Sequence, residues 1–513
     1  MTLPVTLNLA LLKDDFAREV LQRLQTLVKP LVLVGGSVRD LLLGRPLHDL
    51  DFVVADHGLD SARRIADAFG GAFLALDAQR DTGRALLDRP DGSTLIVDVA
   101  VWRGAGLADD LAARDFTINA LAAVIEGDEA RLVDVTGGVA DLYARQLRAT
   151  SRRAFAEDPV RCLRGVRLVA ELSAWNFRLE SETAGWLADH ATSLARVSHE
   201  RVRDELHRTL NASQPRLSLQ RWADLGLLAV TLPEAVALQG VTQSPPHCYD
   251  VFEHTGYVLQ HLAWLSDWIF GLAEPSDAFD AAAVAMLAAH RSQLAEHLSQ
   301  SLTQTDDRRG MLPWLALCHD WGKPATRTVE QDGDGGPARI RFFDHDRVGR
   351  TLAAAAMRRL RFSEAQAVLV STVVGGHMRP HLLAATGDLP SRRAVFRFYR
   401  DLGDTGVETL LLSLADLRAT AGLTLEMADW QHQLDVVAAL LQTYFHHAAE
   451  VVHPKPLLSG YEVMAATGLP PGPQIGKLNA LLAEAQAVGD VQTSSEALVF
   501  IKQSMNLLQD PNT

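Results

Sequence analysis

The sequence predicts an α+β protein, with a mixed-sheet N-terminal region followed by a long, mainly helical remainder. Between 31 and 102, short apolar runs such as LVLV, DLDFVV and TLIVDVAVW are separated by Gly turns and amphipathic stretches. Beyond residue 141 these strand-type runs give way to helical periodicity broken by Pro and Gly. Hydrophobic residues make up 48% of 513, enough for several cores.

The stretch 31–54, LVLVGGSVRDLLLGRPLHDLDFVV, organises the rest. Residues 31–34 suit a buried strand. Gly35 and Gly36 suit a tight turn where backbone approaches a ligand. Ser37 is placed as the N-cap of a short helix whose free N–H groups face an anion, and Gly44 ends that helix. Asp49 and Asp51 share one face of the next strand, with Leu50 turned to the core. Two carboxylates beside a phosphate-binding turn suit Mg²⁺.

The flanking elements follow from pattern. Helices are expected over 14–28 and 59–69, the second stopped by Gly70-Gly71. A buried strand over 94–102 contains Asp98, either a third carboxylate beside Asp49 and Asp51 or a strand-end acid facing solvent. Arg114, Asp115 and Asn119 are placed at a helix start within 110–120. There Arg114 suits a phosphate and Asp115 or Asn119 a ribose hydroxyl; the plain alternative is a polar helix end. A strand and Gly turn over 132–141 close the first domain.

The helical segment 141–238 centres on EDPVRCLRGVR, 157–167, with Pro159 in the first helical turn. Asp158, Arg161, Arg164 and Arg167 recur every three residues as one ridge, either a solvated face or a surface reading a base edge and its phosphates. The segment 198–206, with Glu200, Arg201 and Glu205, buttresses the ridge, and Arg145, Arg148, Arg152, Arg153, Arg178 and Arg203 supply a local basic surface. Such a patch is needed, because a net charge of −14 excludes uniform coating by nucleic acid.

Residues 239–246 read as a polar linker, after which a second chemical system begins. It holds His247, Asp250 and His254, then His319-Asp320, His345, His377 and Asp416. An adjacent His-Asp pair with a distant His and Asp is the pattern of a helical metal site, with imidazole and carboxylate ligands. DGDGGP at 332–337 is expected as a flexible loop. The tail over 421–513 is mostly helical, with joining turns at LLSG and PPGPQIGK. Cys162, Cys248 and Cys318 lie far apart, which points to a reducing cytoplasm without a zinc knuckle; no run is long and apolar enough to span a membrane.

GGSVRD with DLD, RDFTINA, the Gly turn before Asp141, EDPVRCLRGVR and HERVRDEL occur in an order that resembles the bacterial class II tRNA nucleotidyltransferase and poly(A) polymerase family. His254, His319, Asp320 and Asp416 resemble the HD phosphohydrolase superfamily. The resemblance implies a polymerase-β-like head at 1–140, a helical neck and body at 141–238 that binds the template nucleotide and tRNA, an HD domain at 247–420 and a tail at 421–513. It implies Asp49 and Asp51, with Asp98, as the Mg²⁺-binding catalytic carboxylates, and nucleotide binding by Gly35, Gly36, Ser37, Arg39, Arg114, Asp115, Asn119, Asp158, Arg161, Arg164 and Arg167. It also implies a divalent metal in the HD domain, held by His254, His319, Asp320 and Asp416. The partners implied are the tRNA 3′ end and CTP, with ATP open.

Complete CCA-adding relatives carry a longer charged loop after the strand of Asp98. Here Arg103 and Asp109 are joined only by GAGLA, which in the resembling family goes with adding CC and stopping. Full CCA addition and poly(A) synthesis share the same motifs. An HD phosphohydrolase with a degenerate RNA-binding head, or a non-catalytic tRNA chaperone, is disfavoured by the intact DLD and EDPVR.

Overall fold

The computed structural model describes residues 6–9, 14–47, 49–331 and 338–508; the loop expected at 332–337 lies outside them. The chain divides into two compact units, Met1–Ser213 with Arg221–Thr231, and Gln214–Gln220 with Leu232–Thr513.

The first unit is built on an eight-stranded mixed sheet. Its strands are β1 (Thr6–Asn8), β2 (Leu31–Val34), β3 (Asp49–Val54), β4 (Ala72–Asp77), β5 (Thr82–Asp88), β6 (Thr94–Val101), β7 (Leu121–Glu126) and β8 (Glu129–Asp134). They lie in the order β1-β8-β7-β2-β3-β6-β5-β4, with β3 and β6 parallel. Alternation sends Leu50, Phe52, Leu95, Val97 and Val99 into one core, covered by α1 (Asp15–Leu27) and α3 (Gly58–Phe69). Asp49, Asp51 and Asp98 therefore belong to the opposite face, where Val32, Val34 and Val53 pack on Leu111 of α4 (Leu107–Ala112). Asp14 caps α1 by accepting from the Ala17 amide, within one residue of the expected start.

Helices follow the sheet: α5 (Gly138–Ala144), α6 (Arg153–Glu157), α7 (Arg161–Glu171), α8 (Ser181–Asp189) and α9 (His199–Leu210). Three expectations change here. Asp158 is not on the helical ridge, since it ends α6 in an extended conformation and Pro159 precedes α7; a residue before proline is pushed out of the α region. Arg114 and Asp115 do not open a helix. They follow the end of α4, and Phe116 forms a β-bridge with Ala149 before a short 3-10 turn at Thr117–Asn119. The expected basic surface is largely compensated, because Arg148, Arg152, Arg153 and Arg203 pair with Asp141, Asp189, Glu157 and Asp204.

Among the described residues, the second unit is helical apart from the hairpin Arg327–Glu330 with Arg339–Phe342. Val251–Ile269 packs against Arg308–Cys318 and Gly406–Ala421, and His345–Arg359 against Glu364–Gly376. The segment expected as a linker belongs to this unit: Gln243 Oε1 accepts from Lys323 Nζ at 2.7 Å, and Ser244 Oγ accepts from the Ile340 amide at 2.7 Å. In the tail, Ser459 and Glu462 form a capping box that opens Gly460–Thr467, as a joining turn requires. The second expected turn is shorter than PPGPQIGK, because Pro473 already opens Pro473–Val488. No helix among the described residues is long and apolar enough to cross a membrane.

Candidate functional site

The head site sits where β2 turns into α2 (Gly36–Leu42), beside the start of β3 and the middle of β6. Gly35 has φ +75°, and a Cβ there would lie 3.0 Å from Arg114 Nη1 and 3.7 Å from Asp51 Oδ2, so the turn must be glycine. Ser37 does not cap the helix as expected. It lies inside α2, where its hydroxyl donates to the Asp49 carbonyl at 3.1 Å and accepts from the Asp51 amide at 3.0 Å. That pair of bonds fixes the carboxylate strand to the phosphate-type turn.

Asp51 and Asp98 are direct cross-strand partners, and Asp49 lies two residues before Asp51 on the same face. Asp51 is pushed up to about 6, first by burial and then by the charge of Asp98. An anionic pocket that holds a proton so readily is one a divalent cation would stabilise, and its donors are the hard oxygens that Mg²⁺ takes. Asp98 is half-buried and points to the same face as Asp51. Arg84 of β5 clamps it with two bonds of 2.7 and 2.8 Å, a partner that no sequence motif marks.

A cavity of about 760 Å³ joins Gly35, Gly36, Arg39, Asp49, Asp51, Asp98, Arg114, Asn119, Arg164 and Arg167. Its basic residues are held in a continuous network. Arg39 donates to Asn119 at 2.8 Å and is forked on Asp40. Arg114 is held by Asp110, and Arg164 by Asp115 and Glu205. Arg167 bonds Glu205 and Glu171. Asp115 lines the same cavity; its oxygens take the Phe116 amide and Arg164, and although burial opposes its charge, Arg164 holds it below the usual carboxylate range.

A second cavity of about 1200 Å³ carries Asp158, Arg161, Arg114, Arg103, Arg201 and Trp102. Arg161 is buried, which removes the solvated-face alternative for the ridge. Its Nη1 donates to the Ala154 carbonyl, while its buried Nε has no hydrogen-bond partner among the described residues. Arg201 donates to Asp158 at 2.7 Å. The buttress expected from 198–206 is present, since Glu205 of α9 bonds both Arg164 and Arg167 of α7. Replacing Glu205 with Ala leaves two mostly buried guanidiniums undercompensated and is expected to lower stability by about 3 kcal/mol. A chemical denaturation midpoint measures the loss.

In the second unit, His254, His319 and Asp416 form one buried group and Asp320, His345 and His377 another, each with ligand atoms within 4.8 Å. Asp320 joins them, with Oδ2 3.2 Å from His319 and Oδ1 3.6 Å from His345. The Nδ1 atoms of His319, His345 and His377 lie 2.7–2.8 Å from backbone carbonyls. Each Nδ1 must then carry the proton, leaving Nε2 as a lone-pair donor. Yet Nε2 of His319 faces Nε2 of His254 at 3.3 Å, and those of His345 and His377 meet at 3.2 Å. At His345 and His377, whose Nδ1 protons are both fixed, lone pairs opposed at that distance repel unless a cation lies between them, while His254 Nε2 also lies 3.0 Å from Asp416 Oδ1; the donor set fits divalent metal. His377 is pushed down to about 3 by burial and by its neighbours His345 and His319.

The four assigned ligands are brought together, and His345 and His377, seen in the sequence but left out of the assignment, join them. His381 orients Asp416 at 2.9 Å, and Lys323 approaches Asp320 at 2.7 Å. Asp250 takes no part: it caps Val251–Ile269 through the Glu253 amide.

Residues 31–148 match the family described as the Poly A polymerase head domain, and 176–238 match the probable RNA and SrmB-binding site of polymerase A. An A-adding tRNA nucleotidyltransferase of Deinococcus radiodurans is 35% identical over 92% of this chain and 94% of its own. A CC-adding tRNA nucleotidyltransferase of Thermus thermophilus is 32% identical over 91% and 92%. An apo CCA-adding enzyme structure aligns with TM-score 0.60 at 18% identity, over 99% of both chains. The Thermotoga maritima CCA-adding enzyme in complex with tRNA aligns with TM-score 0.55, also at 18% identity, over 98% of this chain and 100% of its own. At such identity the structural matches establish a shared fold.

Proposed function

We propose, from the premise that this chain belongs to the tRNA nucleotidyltransferase family, that it transfers CMP from CTP to the tRNA 3′ end, adds two cytidines and stops. The terminal 3′-OH would attack the α-phosphate in line, with pyrophosphate leaving. Mg²⁺, held by Asp49 and Asp51, would activate the hydroxyl and neutralise the leaving group. Asp158 and Arg161 would address the base edge, with Arg164 and Arg167 fixed behind them. The three free cysteines suit a cytoplasmic setting.

The observation that carries the CC-only reading is the link between β6 and α4. Gly104 has φ +76°, and a Cβ there would lie 2.6 Å from Asp109 Cβ. The Ala105 amide donates to Asp109 at 2.8 Å, and Arg103 is tied to Asp110 through its amide and Nε at 3.2 and 3.0 Å. A link so short and pinned has no slack to reshape the base pocket as the 3′ end grows. A pocket fixed for ATP is the second reading, favoured by the A-adding relative.

The test offers CTP, ATP or both to tRNA lacking CCA and to tRNA ending in CC, followed by 3′-end sequencing. Products ending in CC, with the CC substrate unchanged by ATP, are expected. A alone added to the CC substrate would establish the second reading, and efficient CCA ends would overturn both. Base choice has its own check. Asp158→Ala or Arg161→Ala is expected to lower selectivity for CTP over UTP about ten- to a hundred-fold, the effect of leaving a polar base edge unpaired. Unchanged preference in both variants removes the template role.

The His/Asp centre supports a further reading, hydrolysis of a phosphoester at an RNA end, a 2′,3′-cyclic or terminal phosphate. Its buried imidazoles and carboxylates would hold the metal, which would supply an activated water.

A further inference from the structure

Arg84, Asp98 and Asp51 occupy matching positions on β5, β6 and β3, so they form one row on the face that also bears Asp49. The Arg84 fork takes both Asp98 oxygens, Nε to Oδ1 at 2.7 Å and Nη2 to Oδ2 at 2.8 Å. The pair is within reach of solvent, with side chains 33% and 25% exposed. Among the described residues, the acid and histidine groups that close to within 4.8 Å are both in the second unit, and the three head carboxylates do not form such a group. Asp98 thus faces the metal-binding aspartates while a guanidinium neutralises it.

We propose that Arg84 is a positioning residue that withholds Asp98 from the metal until the RNA 3′ end arrives. A bidentate guanidinium competes with a divalent cation for the same carboxylate oxygens. An RNA terminus brings a phosphodiester, an oxyanion that accepts the same fork. When Arg84 exchanges Asp98 for that phosphate, one arginine–anion pair replaces another, and the released carboxylate joins Asp49 and Asp51 around the cation. The third ligand then enters only in the substrate complex, so RNA and metal must tighten each other's binding by one common factor. The proposal rests on the nucleotidyltransferase reading of this site.

The test is Mn²⁺ binding followed by electron paramagnetic resonance on the full-length protein, with and without tRNA trimmed of its CCA end. Ions held by the second unit or by tRNA are subtracted using Asp51→Asn protein. In the wild type, tRNA is expected to tighten the Asp51-dependent Mn²⁺ about ten-fold. Arg84→Gln is expected to bind Mn²⁺ tightly without RNA and to gain nothing further from it. Arg84→Lys, which keeps the charge and loses the fork, falls between, and Asp98→Asn added to Arg84→Gln removes the gain. Wild-type Mn²⁺ binding and undiminished RNA coupling in Arg84→Gln would overturn the proposal alone. Absence of any Asp51-dependent Mn²⁺ would overturn it together with the metal-site assignment.

Discussion

Asp51→Ala is expected to abolish nucleotide transfer and to leave tRNA binding in place. Asp51 is the less exposed member of the carboxylate pair, positioned through its amide by Ser37 and lying beside the Gly35 turn. Without it, one aspartate of the DLD pair remains, and the cation is no longer held where the α-phosphate must lie. Losing about 4 kcal/mol of transition-state stabilisation corresponds to about a thousand-fold in rate. RNA affinity, proposed to rest on the helical segment after the sheet, should change little. Single-turnover incorporation and filter binding separate the two effects, and near-normal incorporation would sink the assignment.

The same carboxyl sets a pH signature. Its folded value, about 6, lies above the unfolded one. In metal-free protein its contribution is therefore fully present below about pH 4 and is lost as pH rises through about 6, an effect of about 3 kcal/mol. A divalent cation offsets the burial and the repulsion from Asp98 that cause the loss. Mg²⁺ should accordingly raise the melting temperature more at neutral pH than near pH 4, and Asp51→Asn should remove that difference.

What could be read from sequence was what is local in the chain. The stretch 31–54 disclosed its fold because an apolar run, a Gly turn and strand alternation each act over a few residues. Asp158 was misplaced for a reason also present locally: periodicity put it on a ridge, but the proline that follows imposes extended backbone, which its φ of −143° and ψ of 91° show. The course of 114–116 depends on a bridge to Ala149, more than thirty residues on, which no window of the sequence displays. Arg84 escaped notice similarly. Strand parity explains why it meets Asp98, but only pairing of β5 with β6 in that register brings them together. In the second unit the adjacent His-Asp pair pointed to the cluster, whereas its full membership depended on helices that bring His345 and His377 onto the far side of Asp320.

That sharing of Asp320 makes the second large effect calculable from the ligand arrangement. His319 belongs to one metal-type group and its chain neighbour Asp320 to the other. His319→Ala with Asp320→Ala therefore breaks both groups, each by a buried ligand, and is expected to reduce bound metal to about zero together with any metal-dependent phosphodiesterase or phosphatase activity. His345→Ala breaks only one group and should remove about half of the metal. Nucleotide addition should persist in all of these variants, because the head carboxylates belong to the other compact unit. Metal content per chain, measured on folded protein beside 2′,3′-cyclic phosphate hydrolysis and CTP incorporation, tests the chain of reasoning link by link. Equal metal content in the wild type and the double variant would contradict the ligand assignment. Loss of metal without any hydrolytic activity to lose would leave the centre structural, its cation serving to hold together the five helices that carry or end at these His and Asp groups.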